Sequence, residues 1–123
     1  GYPTWLLSYW TRDKKLFSLE DSIRRLTSDT ASAIGLYDRG AIKEGLKADI
    51  NILDIENLGS SDPYMLKDLP AGGSRLMQKT SGYLANIVSG KITYVKGKKE
   101  NVLPGKLVKL INIQEKFKEK DLA

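Results

Sequence analysis

The apolar residues change their spacing at Gly35, and this change restricts the chain to a fold that combines helices with strands. Before Gly35, apolar residues recur every three or four positions, which is the period of an amphipathic helix. After Gly35 they fall in short runs separated by glycine and polar residues, a pattern typical of strands and turns. The sequence therefore predicts an α+β fold with its helices first.

The first predicted helix carries both tryptophans of the chain. Pro3 suits its first turn, because proline lacks the amide hydrogen that would have no partner there. Its apolar face is expected to consist of Trp5, Leu6, Tyr9 and Trp10. A helix with this much apolar surface needs a partner surface, so the opening segment looks like an element of a larger body.

Two further helices are predicted before the change of pattern. Ser18 can cap the second helix, with Asp21 in the position of a capping-box acid. The buried stripe of this helix is expected to consist of Leu19, Ile23 and Leu26. The third helix is predicted from Thr30 through Ile34, with Asp29 as its cap and Gly35 as its stop.

The segment after Gly35 predicts strands and turns. Gly40 and Gly45 bracket a turn, and the strand predicted over 48–54 places Ile50 and Ile52 on one face and Asn51 on the other. The run LANIVSGKITYVKGK predicts a hairpin that turns at Ser89 and Gly90. Irregular structure is predicted for 56–82, and a last strand for VLPGKLVKLI.

Histidine and cysteine are absent from all 123 residues. Zinc sites are usually built from these two side chains, so a zinc site made by this chain alone is not expected. A serine or cysteine triad with a histidine base is impossible, and disulfides are excluded. We therefore predict no catalytic residue, no metal ligand and no cofactor in this chain.

Three groups of polar residues are candidate sites. Asp49 and Asp54 flank one strand, but their spacing puts them on opposite faces, so they are interpreted as turn aspartates that bond nearby amides. The loop PAGG at 70–73 lacks the strand-to-helix context of a phosphate loop and is interpreted as an ordinary turn. The polar residues of the opening helix could line a pocket, although packing between domains is the favoured interpretation; they are Tyr2, Thr4, Tyr9 and Arg12.

The net charge of +5 arises entirely from residues 91–109, where six lysines are accompanied by one glutamate. Nucleic-acid binding is disfavoured, because the segment lacks the arginines and stacking aromatic residues of such sites. The simplest interpretation is that the lysines protect an edge strand from pairing. No apolar run approaches the roughly 18 residues of a membrane span, and no signal peptide is recognisable, so we predict no membrane association and a cytoplasmic location.

The order SLEDSIRRLTSDTASAIGLYDRGAIKEGLKADINILD resembles the closing segment of metal-dependent amidohydrolases, in which the last helices of a TIM barrel run into a small β-sandwich. Dihydroorotase-like and imidazolonepropionase-like enzymes share this ending. Three more stretches resemble the C-terminal portion of the N-acyl-D-amino-acid deacylases, also called D-aminoacylases: YPTWLLSYWTRD, DLPAGGSRLMQKTSGY and IVSGKITYVKGKKENVLPGKLVK. The middle stretch is the most specific, because the general amidohydrolase ending lacks it.

The resemblance implies an incomplete composite domain. Residues 1–36 would be the closing helices of the barrel, 37–112 the C-terminal part of the β-domain, and 113–123 a charged helical tail. In the full-length parent, zinc held by upstream residues and a barrel-end aspartate would drive attack of water on the amide of an N-acyl-D-amino acid. The residues expected nearest the substrate are Tyr2, Pro3 and Thr4; the parent's metal ligands have no counterpart here.

Three hypotheses follow for the chain itself. The favoured one is a fragment of a deacylase that is inactive by itself. The second is an independent, non-catalytic interaction module that uses the 91–109 lysines to bind an acidic partner. The third is a separate subunit that completes an active site together with a chain carrying the barrel. The identity of the D-amino acid and of the acyl group is left open by the sequence.

The 123-residue chain is expected to form a homodimer or a higher oligomer, through exposed strand edges or through the face around Trp5 and Trp10. Unpaired strand edges and large apolar patches tend to associate. Light scattering coupled to size-exclusion chromatography measures the mass directly. A monodisperse monomer at high concentration would contradict this prediction.

Overall fold

The computed structural model describes residues 1–108. The chain begins with one α-helical turn, α1 (Tyr2–Trp5), which continues as a π-helix over Leu6–Asp13. Two α-helices follow, α2 (Leu19–Leu26) and α3 (Ser28–Ala33). The strands are β1 (Ile50–Leu53), β2 (Gly59–Ser60), β3 (Tyr64–Leu66), β4 (Arg75–Met77), β5 (Thr80–Ser81), β6 (Tyr83–Val88), β7 (Lys91–Val95) and β8 (Lys98–Lys99). The predicted α+β fold is confirmed.

The opening helix leaves the apolar face around Trp5 and Trp10 partly exposed, as expected of a face that needs a partner surface, and buries a different face within the described chain. Its buried residues are small or hydroxyl-bearing, with one leucine: Thr4, Leu7, Ser8 and Thr11. Trp5 and Trp10 lie partly in solvent, with 49% and 40% of their surface exposed. The hydroxyls explain the difference, because Ser8 and Thr11 donate to the carbonyl oxygens of Thr4 and Leu6, at 2.9 Å in each case. Each hydroxyl therefore has a hydrogen-bond partner within its own helix, so the side chain can be buried, and its small size lets the helix pack closely against its neighbours.

The helix α2 begins where the sequence predicts, and its buried face differs. The Ser18 hydroxyl accepts a hydrogen bond from the Asp21 amide at 3.1 Å, which confirms the predicted cap. Ser22 is fully buried, whereas Leu19 and Ile23 are 38% and 36% exposed, so the predicted apolar stripe was wrong. The hydroxyls of Ser22 and Thr11 lie 2.6 Å apart and join α2 to the opening helix.

The helix α3 ends as predicted but starts differently. Thr27 occupies the cap position and makes no side-chain cap bond, while Asp29 lies inside the first turn, so the predicted Asp29 cap was wrong. Gly35 has a φ of 76° and stops the helix. The amides of Gly35 and Leu36 donate to the carbonyl oxygens of Ser32 and Ala31, which is the Schellman arrangement.

The main sheet is antiparallel, with the strand order β1-β6-β7-β8. The predicted hairpin is confirmed, because β6 and β7 pair around Ser89 and Gly90, whose φ values are 50° and 76°. A second turn of the same kind, with Lys96 and Gly97 at φ values of 47° and 76°, leads into β8. Two consecutive residues with positive φ give the primed turns that match the twist of a hairpin.

Residues 59–81 form a two-stranded arm, so the prediction of irregular structure over this segment was wrong. The strands β2 and β5 pair near its base, and β3 and β4 pair farther out. The tip contains PAGG in a 3₁₀ turn over Pro70–Gly72, stabilised by a bidentate contact of Arg75 with Asp68 at 2.6 and 2.8 Å. The strands are two or three residues long, too short to produce a recognisable alternation in sequence.

The last predicted strand is not present over 102–108, which have no regular structure. The rest of it, and the predicted helical tail over 113–123, lie outside the described residues. Within residues 1–108 the strands form one four-stranded sheet and two short ladders, so the barrel and the packed sandwich remain predictions about a parent enzyme. No helix of the described part has the length and apolarity that crossing a membrane requires.

Gly82 is the tightest glycine contact between the sheet and its connecting loop. Its φ is 82°, and a Cβ atom there would lie 2.6 Å from the Leu58 Cα and 2.9 Å from the Asp54 carbonyl oxygen. Gly90 has a similar φ of 76° with open space around it. The two positions therefore share the backbone requirement and differ in crowding.

The variant Gly82→Ala is expected to be much less stable than Gly90→Ala. Both substitutions place a side chain in the left-handed region, which costs roughly 1–2 kcal/mol. Crowding against Leu58 adds about 1–3 kcal/mol at position 82 only. Urea unfolding followed by circular dichroism measures the difference, and equal losses in the two variants would contradict the close approach.

Candidate functional site

The helices and the sheet meet at a joint built around Arg12. Its guanidinium Nη1 donates to the carbonyl oxygens of Ile55, Glu56 and Leu58, at 2.9, 3.0 and 2.7 Å. Its Nε donates to Asp13 at 2.7 Å, which raises the pKa of the guanidinium and lowers the pKa of that carboxyl. Leu58, only 1% exposed, is held beneath this contact. Arg12 therefore acts in packing between segments, as the sequence indicated.

A second contact of the joint involves Thr4 and Tyr83. Thr4 is 3% exposed, and its Oγ1 lies 2.9 Å from the Tyr83 hydroxyl on β6. Because these residues are far apart in sequence, the hydrogen bond fixes the first helical turn against the sheet. Thr4 therefore stabilises the packing of the first helical turn against the sheet.

The stretch DRGAIKEGLKADINILD folds as scaffold between α3 and the sheet. Arg39 binds Asp38 through two hydrogen bonds of 2.9 and 3.0 Å and reaches Asp49 at 3.4 Å. Asp49 also accepts from the Ser89 amide at 2.8 Å, so it links β1 to the hairpin turn. Gly40, with φ of 92°, lies so close to Ala31 that a Cβ atom would be 2.9 Å from the alanine methyl carbon.

The two aspartates that flank β1 bond nearby amides, which confirms their interpretation as turn residues. Asp54 accepts from the Asn57 side chain at 2.8 Å and from the Asn57 amide at 3.3 Å, and these bonds lower the pKa of Asp54. Asp38 likewise has a lowered pKa, caused first by its hydrogen bonds with Arg39. A carboxyl with a lowered pKa stays ionised at neutral pH, so neither Asp54 nor Asp38 suits proton transfer at that pH.

An open cavity of about 710 Å³ separates the helices from the segment before β1. Its apolar lining comes from the helices, from the segment before β1 and from β1 itself, and includes Leu7, Ile23, Leu26, Ile42, Leu46 and Leu53. Charged side chains lie on it too: Lys43, Glu44, Lys47 and Asp49. Within residues 1–108, Leu7, Ala31 and Leu58 are the buried apolar residues. Several large apolar side chains of the described chain thus face the open cavity and are not packed in a core.

Of the three residues predicted nearest a substrate, two line this cavity and one does not. Tyr2 and Pro3 belong to its lining, whereas Thr4 points into the joint and bonds Tyr83. Their proximity to a substrate therefore stays a prediction. The sequence did not predict that Ile42, Leu46 and Tyr83 line this cavity. The glycine-bracketed turn around Ile42 offered a local signal, but only the fold brings Tyr83 to the same cavity as Tyr2.

The side chains of residues 1–108 do not fit a metal site. The described residues contain no cluster of three or more side chains with metal-binding donors, and the sequence has neither histidine nor cysteine. The carboxylates of Asp38, Asp49 and Asp54 are already engaged by Arg39 or by Asn57 and Ser89. A zinc ion would have to be held by other residues than these.

The remaining candidate features are surface elements. The lysines of the 91–108 segment flank the hairpin turns and the edge strand β8, where an edge-protecting role was expected. On the opening helix, the Trp5 and Tyr9 rings stack at 4.5 Å and Trp10 packs edge-on to Tyr9 at 4.9 Å. The Lys14 ammonium lies 5.4 Å from the centre of the Tyr9 ring. These aromatic groups satisfy one another in part.

Comparison with known proteins gives the class of this chain. The model of the amidohydrolase family matches residues 3–94, which include the joint, the arm and the cavity lining except for Tyr2. The chain therefore belongs to the amidohydrolase family, and the family-level prediction is confirmed.

Curated relatives include a dihydroorotase of Lactobacillus acidophilus, 31% identical over 98 residues, and a dihydroorotase of Lactobacillus johnsonii, 30% identical over 98 residues. Each alignment covers 76% of this chain and 22% of the relative. The chain thus spans about a fifth of the length of the relatives that it matches. No solved structure gives a significant match.

A double-mutant cycle on Thr4 and Tyr83 is expected to give a coupling free energy of about 0.5–1.5 kcal/mol, the net contribution of one hydrogen bond. The variants are Thr4→Val, Tyr83→Phe and the double substitution, each close to the original in shape. Urea unfolding gives the three free energies. Additive losses would mean that the two hydroxyls do not stabilise the joint together.

Proposed function

We propose that this chain is the C-terminal part of a zinc-dependent amidohydrolase that cleaves the amide bond of N-acyl-D-amino acids, and that the chain itself is scaffold. The observation that carries the proposal is the family match over 3–94 in a sequence without histidine or cysteine. A hydrolase of this family that binds zinc through such side chains must take them from elsewhere. The relatives, of which the chain covers 22%, leave ample length for that.

The substrate class rests on the resemblance of DLPAGGSRLMQKTSGY to the deacylases. This stretch forms the outer arm and its return to β6, where β3 and β4 pair and Arg75 binds Asp68. The resemblance of this stretch to the deacylases supports a substrate group narrower than the family. The proposed substrates are therefore linear amides that carry a D-amino acid.

A second candidate is the ring-opening of dihydroorotate, a cyclic amide. The observation in its favour is that both curated relatives described above are dihydroorotases. Identities of 30% and 31% accommodate a change of substrate within one family. Both candidates are amide hydrolyses, so they differ in the substrate and agree in the reaction class.

Within either enzyme, the residues of this chain would hold the first helical turn in place. Thr4 is fixed by Tyr83, and Arg12 anchors the helix to three carbonyl oxygens. Tyr2 and Pro3 lie in this anchored turn, directly before Thr4, which supports a positioning role for them beside a substrate. Because residues 1–108 hold no group of side chains that fits a metal ion, we derive no chemical step from them.

The proposal is tested by sequencing the source DNA around the codon for Tyr2 and expressing the complete reading frame. The protein is assayed for release of D-amino acids from N-acetyl-D-amino acids, with the N-acetyl-L isomers and dihydroorotate as matched controls. The expected result is turnover of the D isomers that a chelator abolishes and zinc restores. The 123-residue chain with added zinc is expected to show no turnover.

The other outcomes separate the alternatives. Turnover of dihydroorotate alone would replace the deacylase with a dihydroorotase. A reading frame that contains no barrel would reject the catalytic proposal, and a cytoplasmic interaction module would take its place. In that case, the exposed lysines of the hairpin, Lys91, Lys96, Lys98 and Lys99, would be the first surface to test against an acidic partner.

A further inference from the structure

The turn before β1 leaves an apolar side chain in solvent at the edge of the apolar cavity. Ile42 is 88% exposed, yet it belongs to the cavity lining together with Leu26 and Leu46. The fold does not bury this side chain, and the space beside it is open. In a two-fold dimer, the projecting side chain of each copy can enter the apolar recess of the other copy, so the same surface forms both sides of the interface.

The charges beside Ile42 make this surface complementary to itself. Lys43 and Glu44 follow Ile42 directly, line the same cavity and are both exposed. Neither takes part in an ion pair within residues 1–108. A two-fold axis can be placed through such a surface so that Lys43 of one copy lies against Glu44 of the other, whereas a partner of one dominant charge would repel one of these two side chains.

The other apolar or unpaired surfaces are less suited to a second copy. The edge strand β8 consists of Lys98 and Lys99, which oppose pairing with an identical edge. The Trp5 and Trp10 rings already pack with Tyr9. The opposite edge strand, β1, has no charged residue over Ile50–Leu53 and lies on the cavity. The edge strand β1, which lies on the cavity, therefore lacks the charged side chains that oppose pairing with a second copy.

We propose that a second copy of this chain docks on the cavity face about a two-fold axis, with Ile42 of each copy inserted into the cavity of the other. Lys43 of each copy then faces Glu44 of its partner. This inference goes beyond the proposed function and is independent of it, because it concerns the surface of the 123-residue chain and involves no catalysis.

The first test compares Ile42→Asp with Leu103→Asp by sedimentation equilibrium. Leu103 is 86% exposed and lies outside the cavity lining, so it matches Ile42 in exposure and differs in location. We expect a dimer of the unchanged chain, a dissociation constant raised roughly thirtyfold or more by Ile42→Asp, as for a buried interface anchor, and little change for Leu103→Asp. Because Ile42 is exposed, circular dichroism should show both variants folded.

The second test exchanges the charges. Lys43→Glu and Glu44→Lys alone are each expected to weaken the dimer a few-fold, because like charges then face each other, and the double substitution is expected to restore it. The effects of the single variants should shrink at high salt. Restoration identifies a contact between these two positions across a two-fold axis, which a change in folding stability would not produce.

Three results would overturn the proposal. The first is an unchanged chain that stays monomeric at the highest concentration reached. The second is a dimer that resists Ile42→Asp and dissociates with Trp5→Ser and Trp10→Ser, which would locate the interface on the aromatic face. The third is a double charge exchange that leaves the dimer as weak as the single variants. None of these results bears on whether a longer parent hydrolyses amides.

Discussion

The contact of Arg12 with three carbonyl oxygens is the interaction on which the rest of the structure depends. Carbonyls at the end of a strand and in a turn need donors, and the planar guanidinium supplies several from one side chain. This contact brings the opening helix against Leu58, and Leu58 in turn requires a glycine at position 82. Helices and sheet are thus joined mainly through polar groups, with a small apolar core.

A small core explains the distribution of the other apolar residues. Ile23 and Leu26 of α2 line the open cavity, and the fully buried position of that helix is Ser22. Short hydroxyl-bearing side chains let the first two helices approach closely, while the larger apolar groups remain at the surface of the described chain. This arrangement is consistent with a segment that covers 22% of longer relatives, and it also provides the surface on which we place a second copy.

The chain belongs to the amidohydrolase family, but the acidic residues that its sequence offers for catalysis have structural roles in the described chain. The match over 3–94 identifies an amidohydrolase segment, while the aspartates that attract attention in the sequence are engaged in turns. Asp49 links β1 to the hairpin, and Asp54 closes the turn that presents carbonyl oxygens to Arg12. Residues that look suited to chemistry therefore hold the scaffold, and the lowered pKa values of Asp38 and Asp54 follow from that role.

The sequence by itself determined the elements whose signals are local: the Ser18 cap, the Gly35 stop and the hairpin at Ser89 and Gly90, because caps and tight turns depend on residues a few positions apart. It also determined the family. The tertiary structure alone decided which faces are buried, the pairing within the arm and the hydrogen bond between Thr4 and Tyr83. Those features depend on contacts between residues distant in the chain, where a buried hydroxyl with a partner can replace an apolar side chain and periodicity no longer tells inside from outside.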